Sequence, residues 1–164
     1  MIVEKLTARQ VMSRVLVAVD AAESVPMAWE IMRRAGVHHL PVVRGPELLG
    51  VLTREKVIAA WSGGPQALSG VQARTLVNAA DSPCVREDEP LTRVCSLMVD
   101  AGCDAVPVRA GDGSLAGLIT ARDVLAAVAG RTAPGTEDGH LVTGMFRLEP
   151  VLPAMGRRMR PGAD

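Results

Sequence analysis

Residues Gly36-Val37-His38-His39-Leu40-Pro41-Val42 return, with the glycine, the proline and the final valine kept, as Gly102-Cys103-Asp104-Ala105-Val106-Pro107-Val108, an offset of 66 residues. Gly50-Val51-Leu52-Thr53 returns as Gly117-Leu118-Ile119-Thr120, an offset of 67. The extra residue falls in the intervening turn, Arg44-Gly45-Pro46-Glu47 in one copy and Ala110-Gly111-Asp112-Gly113-Ser114 in the other. A surface loop absorbs such a change. Self-similarity of this kind means one supersecondary unit built twice. The chain therefore divides into a first repeat over residues 7–61, a linker over 62–74, a second repeat over 75–130 and a tail over 131–164.

Both repeats read alike. A short segment (8–12 or 75–78) precedes an extended stretch (15–19 or 83–85). A helix follows, with Val25, Trp29, Met32 and Val37 near one face in the first copy and Leu91, Cys95, Met98 and Val99 in the second. Asp20 and Asp88 are its candidate N-caps, Gly36 and Gly102 the candidate glycines just past its end. Two strands come next, 39–43 and 48–52 or 105–109 and 115–119, joined by a glycine-bearing turn. Thr53 or Thr120 then opens a last helix, 54–61 or 121–129. The order is β-α-β-β-α, a mixed α/β (α+β) fold. A unit of about 55 residues is marginal alone, so two are expected to share a core.

Composition narrows the function. The 164 residues bury roughly 69% of the unfolded chain's surface by the usual scaling, enough for a core without disulfides. Formal net charge is zero, so no global field draws the chain to nucleic acid or to an anionic membrane. One Phe, two Trp and no Tyr leave nothing for base stacking. No apolar run approaches the ~18 residues of a membrane span, and the N-terminus is not patterned as a secretory signal. Cys84, Cys95 and Cys103 lack ligand or redox spacing and read as small buried thiols of a cytoplasmic protein. The tail, rich in Pro and Gly and ending in Arg157-Arg158-Met159-Arg160, reads as mostly irregular, with docking of residues 141–152 on the domain or on a second subunit as the alternative.

The helix–Gly–strand–Pro-Val pattern, followed each time by Gly-x-x-Thr and in the second copy by Gly-x-x-Thr-x-x-Asp, resembles the cystathionine-β-synthase (CBS) domain. Two in tandem resemble a Bateman module over residues 7–130. The resemblance implies two repeats packed across a pseudo-twofold axis, with two clefts that often take adenosyl nucleotides or S-adenosylmethionine. It also implies pairing into dimers and regulation of a partner protein. In the residues themselves, Thr120 and Asp123 admit two readings: a helix cap with a first-turn carboxylate, or a hydroxyl for a phosphate and a carboxylate for a ribose diol. The resemblance favours the second.

The copies diverge at this motif. The first carries Lys56 where the second has Asp123, and an ammonium accepts no hydrogen bond. His38, before the Pro-Val strand, occupies the position from which similar modules reach a phosphate held by the opposite repeat; the second copy has Asp104 there. One competent cleft is thus expected, with Asp123 and Thr120 at the ribose end and His38 at the phosphate end. Ser82, Pro83 and Cys84 are expected at the adenine edge beside Asp123, and Ala105 to Pro107 as another wall. Arg122 and His39 are further phosphate candidates, with Arg54 behind them. The other cleft, of Thr53, Lys56 and Asp104, is expected to be degenerate and closed by a Lys56–Asp104 salt bridge.

No motif supports a catalytic dyad of His38 or His39 with a cysteine, so the chain reads as a non-enzyme without a catalytic cofactor. A metal reading of His38, His39 and Asp104 fails because adjacent strand residues face opposite sides. The function that follows is a cytoplasmic regulatory module. It binds AMP, ADP or ATP in one inter-repeat cleft, pairs as a homodimer and modulates a separate, unidentified partner protein. The alternatives are a ligand-free dimerising scaffold and an S-adenosylmethionine sensor.

Overall fold

The structure is a computed structural model that describes residues 5–14, 16–64, 68–131 and 141–143. The first repeat holds β1 (Leu16–Asp20), α2 (Val25–Ala35), β2 (His39–Arg44), β3 (Glu47–Thr53) and α3 (Arg54–Ala60), after a single-turn helix α1 (Ala8–Val11). The second holds β4 (Val85–Arg86), α4 (Leu91–Ala101), β5 (Ala105–Arg109), β6 (Leu115–Thr120) and α5 (Ala121–Val128), followed by β7 (Leu141–Thr143). In each repeat the first two strands run parallel and the hairpin strands antiparallel.

The helix ends show how local chemistry sets the elements. α2 and α4 both stop at a glycine in the left-handed region, Gly36 at φ 66° and Gly102 at φ 61°, which a residue with a Cβ adopts only at a cost. Their starts differ from the sequence expectation. Ser24, not Asp20, caps α2 by accepting the Met27 amide at 3.3 Å. Asp20 instead accepts from Ala22 N at 2.8 Å in the turn before it, the local bond that short carboxylates favour. Pro90 stands at the start of α4, and Asp88 pairs with Arg86 at 3.4 Å. The buried face of α4 is Leu91, Val94 and Met98, while Val99 is 79% exposed and belongs to the outer surface.

Two aliphatic clusters form the core. One joins Val19, Val25, Met32, Leu40, Val42, Leu52 and Val57 of the first repeat. The other joins Val85, Leu91, Val94, Val106, Val108 and Ile119 of the second. Leu16 and Val51 meet Ala105 and Leu118 in a smaller cluster that ties the two sheets together.

The segments ahead of the first strand of each repeat are exchanged. Ala8 and Met12 lie in the second repeat's core, not the first's. Leu91 N donates to Leu6 O at 2.8 Å, and Ser13 bridges Leu118. Reciprocally, Leu68 and Ala73 are buried in the first repeat's core; Val25 N donates to Val71 O at 2.9 Å, and Ala73 N to Glu23 O at 2.7 Å. Residues read as linker are therefore packing residues. The two glycines of the Gly-x-x-Thr motifs permit the crossings. A Cβ on Gly117 would stand 2.5 Å from Met12 Sδ, and one on Gly50 2.8 Å from Ser82 Oγ.

Within the tail, β7 adds to the open edge of β1 in parallel, Leu16 opposite Leu141 and Ala18 opposite Thr143. The first sheet thereby runs β3-β2-β1-β7, the second β4-β5-β6. The rest of the tail, including 144–152 and the arginines at 157, 158 and 160, lies outside the described residues. Among the cysteines, Cys84 is exposed rather than buried, because it sits ahead of the short strand β4. Cys95 and Cys103 are half-buried, and burial pushes both thiols up from the usual range.

Candidate functional site: a cavity between the repeats

The exchange of segments brings the end of α2, the start of β2 and the start of α5 around one cavity of about 520 Å³, within the size range of small-molecule sites. From the second repeat it is lined by Asp104, Leu118 and the run Thr120-Ala121-Arg122-Asp123. From the first come Gly36, Val37, His38, His39 and Pro41, with Ser13, Leu16 and Val17 as a further wall.

Thr120 and Asp123 build the mouth of α5. Thr120 Oγ1 accepts the Asp123 amide at 3.3 Å, and Asp123 Oδ2 accepts from both Thr120 N and Thr120 Oγ1 at 2.7 Å. This reciprocal box fixes the carboxylate in place. Asp123 Oδ1 takes part in none of the described hydrogen bonds and remains an acceptor for a ligand. The two readings of the pair, cap and ligand residue, are therefore compatible. His38 is exposed and lies in the bend before β2; His39, the first strand residue, is half-buried. Both line the same cavity. The strict alternation that argued against this does not apply, because His38 precedes the strand. Arg122 is exposed at the cavity's edge.

Asp104 departs from the expected pairing. His39 Nε2 lies 2.7 Å from Asp104 Oδ1, so the contact across the repeats is His39–Asp104 and not Lys56–Asp104. Lys56 Nζ turns back to Val51 O at 3.4 Å, while Thr53 Oγ1 accepts the Lys56 amide at 3.3 Å. Asp104 and His39 line the same cavity, which Lys56 does not line. Glu55 stands close enough to feel the same pair: its own backbone amide and the Thr53 hydroxyl hold its carboxyl below the usual range, Asp104 opposes that and His39 assists it.

Ser82, Pro83 and Cys84 do not line the Asp123 cavity. Ser82 packs instead over Gly50 on β3 of the first repeat. Ser13, ahead of β1, and Leu16 and Val17, its first two residues, take the place beside Asp123. Ala105 and Pro107 are buried on β5 and absent from the lining; Pro41 stands there instead. Arg54 also lies outside it. Its Nε donates to Val37 O at 3.2 Å and its guanidinium sits 6.0 Å over the Trp29 ring, which meets Trp61 edge-on. Among the described residues no cluster of three or more His, Cys, Asp or Glu could hold a metal ion. No helix among them is long and apolar enough to cross a membrane.

Comparison with known proteins now decides the family. The CBS domain family model matches residues 8–63 and again 77–130. The chain belongs to the CBS domain family. Its CBS pair is 28% identical over 131 residues to an inosine-5′-monophosphate dehydrogenase of Korarchaeum cryptofilum, covering 80% of this chain and 26% of that protein. It is 30% identical over 124 residues to an uncharacterized protein of Methanocaldococcus jannaschii, covering 74% and 28%. The chain thus spans about a quarter of the length of the curated relatives it matches. Among solved structures, the CBSX2 protein in complex with AMP superposes with a TM-score of 0.67 at 25% identity, over 76% of this chain and 96% of that one.

Proposed function

We propose that this CBS pair is a cytoplasmic regulatory module, not a catalyst, that binds one adenosyl nucleotide per chain in the Asp123 cavity and modulates a separate partner protein. The observation that carries the reading is the convergence of Asp123 and Thr120 from one repeat with His38 and His39 from the other around one cavity. Asp123 Oδ1 accepts the ribose hydroxyls. The start of α5, with Thr120 and Arg122 beside it, and the imidazole of His38 face the phosphate. Ligand then spans both repeats, and a ligand that binds one packing of the repeats more tightly shifts the balance between packings. The AMP-bound CBSX2 structure supports adenosyl chemistry in this fold. The Lys56 cleft, with a donor where an acceptor is needed, is left empty. The exposed apolar residues Ile58, Val99, Leu125 and Val128 on α3, α4 and α5 support assembly as a homodimer; light scattering is expected to return twice the chain mass, and a monomer at micromolar concentration would remove that part of the proposal.

A second reading has an observation of its own. Asp104 adds a second carboxylate to the cavity, which disfavours a phosphate tail and favours the cationic tail of S-adenosylmethionine. Titration calorimetry with AMP, ADP, ATP and S-adenosylmethionine separates the readings, and Asp104→Asn sharpens the contrast. The substitution is expected to tighten a nucleotide severalfold and weaken S-adenosylmethionine by a similar factor. Absence of any binding across the panel leaves only a dimerising scaffold.

A further inference from the structure

At the far end of β5, a second cavity of about 380 Å³ is lined by Arg9, Arg86, Arg109, Glu87, Asp88 and Thr7, among others. Four strand steps separate Ala105, beside the first cavity, from Arg109, roughly 13 Å at 3.3 Å per residue. The two cavities are distinct and share none of their lining residues.

The arginines in this place are costly unless something answers them. Arg86 and Arg109 are register partners on adjacent parallel strands, and like charges directly opposite destabilise a sheet. Arg86 has a carboxylate at hand, with Asp88 Oδ1 3.4 Å from its Nε. Arg109 has none. Its Nε is buried and lacks any hydrogen-bond partner, and leaving a buried charged donor unsatisfied costs free energy. Arg9 reaches the same cavity from α1, whose backbone is tied to the β4 side by Arg9 N donating to Glu87 O at 2.9 Å. The corresponding register pair in the first repeat is Asp20 and Val43, so the arginine pair is a property of the second repeat and not of the repeated unit.

We propose that this cavity is an oxyanion site for a phosphate group, free or as the head of a phosphomonoester. A guanidinium fork matches two phosphate oxygens at once. Three forks around one cavity suit a tetrahedral dianion with several oxygens. Arg109 Nε gains the acceptor it lacks, Arg86 and Arg9 flank the anion, and the anion relieves the repulsion between the paired strands. Glu87 and Asp88 leave an excess of one positive charge among the five side chains, so affinity rests on directed hydrogen bonds and not on a broad field. The inference does not depend on the reading of the Asp123 cavity.

The test is a titration of the full chain with inorganic phosphate, followed by amide NMR shifts and set against chloride at matched ionic strength. Saturable shifts are expected at residues 7–9, 86–88 and 109–111. They are expected to persist in Asp123→Ala and to need at least tenfold more phosphate in Arg109→Gln and in Arg9→Gln. Arg9 is exposed, so its variant keeps the fold and decides the matter if Arg109→Gln does not. Glycerol 3-phosphate binding more tightly than phosphate assigns the cavity to esters; equal or weaker binding assigns it to the free ion. Shifts that match those of chloride, that centre on residues 36–39 and 120–123, or that are unchanged in Arg9→Gln overturn the proposal.

Discussion

Replacing Asp123 with alanine is expected to weaken adenosyl-ligand binding by one to two orders of magnitude while leaving the fold in place. The estimate follows from hydrogen bonds to a charged acceptor, worth about 1.5–3 kcal/mol. The substitution has a second effect. Asp123 Oδ2 also accepts from Thr120 N and Oγ1, so the box that begins α5 is lost and the chain is expected to lose about 1 kcal/mol of stability, in the range of other lost caps. Asp123→Asn separates the two. It keeps an oxygen for the cap and removes the charge, so it is expected to recover most of the melting temperature and little of the affinity. Calorimetry and a thermal melt on both variants measure this. Full affinity in Asp123→Ala contradicts the ribose role; affinity that tracks melting temperature across both variants reduces Asp123 to a cap.

The exchange of segments makes a second large effect. Ala8 is fully buried against α4 and α5 of the second repeat although it stands at the start of the first. Ala8→Asp places an unpaired charge there and is expected to cost about 3–5 kcal/mol, the scale of an uncompensated buried ion. The location of the damage is the sharper readout. Hydrogen exchange is expected to rise in Leu91–Ala101 and Ala121–Val128 before it rises in Val25–Ala35. Leu68→Asp, buried in the other core, is expected to reverse that order. Loss of protection in the first repeat ahead of the second upon Ala8→Asp contradicts the exchange.

The same exchange marks where sequence reading stops. The Pro-Val strands, the Gly-x-x-Thr entries to α3 and α5, and the glycines ending α2 and α4 are local patterns, and each recurs at a fixed offset. They were legible because backbone geometry at those positions depends on residues a few places away. Which repeat the residues before β1 and before β4 pack against is a long-range choice that no periodicity records. Ser13, just ahead of β1, escapes a sequence reading of the cavity for that reason, and Leu16 and Val17 at the start of β1 follow it there. The one signal that pointed to them was the glycine in each Gly-x-x-Thr motif, which implies that something crosses closely above it. Asp104 pairs with His39 in the Asp123 cavity and not with Lys56, a contact that a strictly symmetric pairing of the repeats does not foresee. Val99 was placed inward on a stripe that allowed four positions, whereas α4 buries only Leu91, Val94 and Met98 within the second core. β7 has three residues in a segment full of Gly and Pro, too short for any alternation to show.

One cavity, that of Asp123, is expected to take the adenosyl ligand while the Lys56 side stays empty. Amide shift mapping with AMP and with S-adenosylmethionine on the full chain tests it most directly. Whichever ligand binds is expected to saturate at one per chain and to move residues 13–17, 36–39 and 118–123. Shifts centred on residues 53–56 and 82–84, or two ligands per chain, would contradict it.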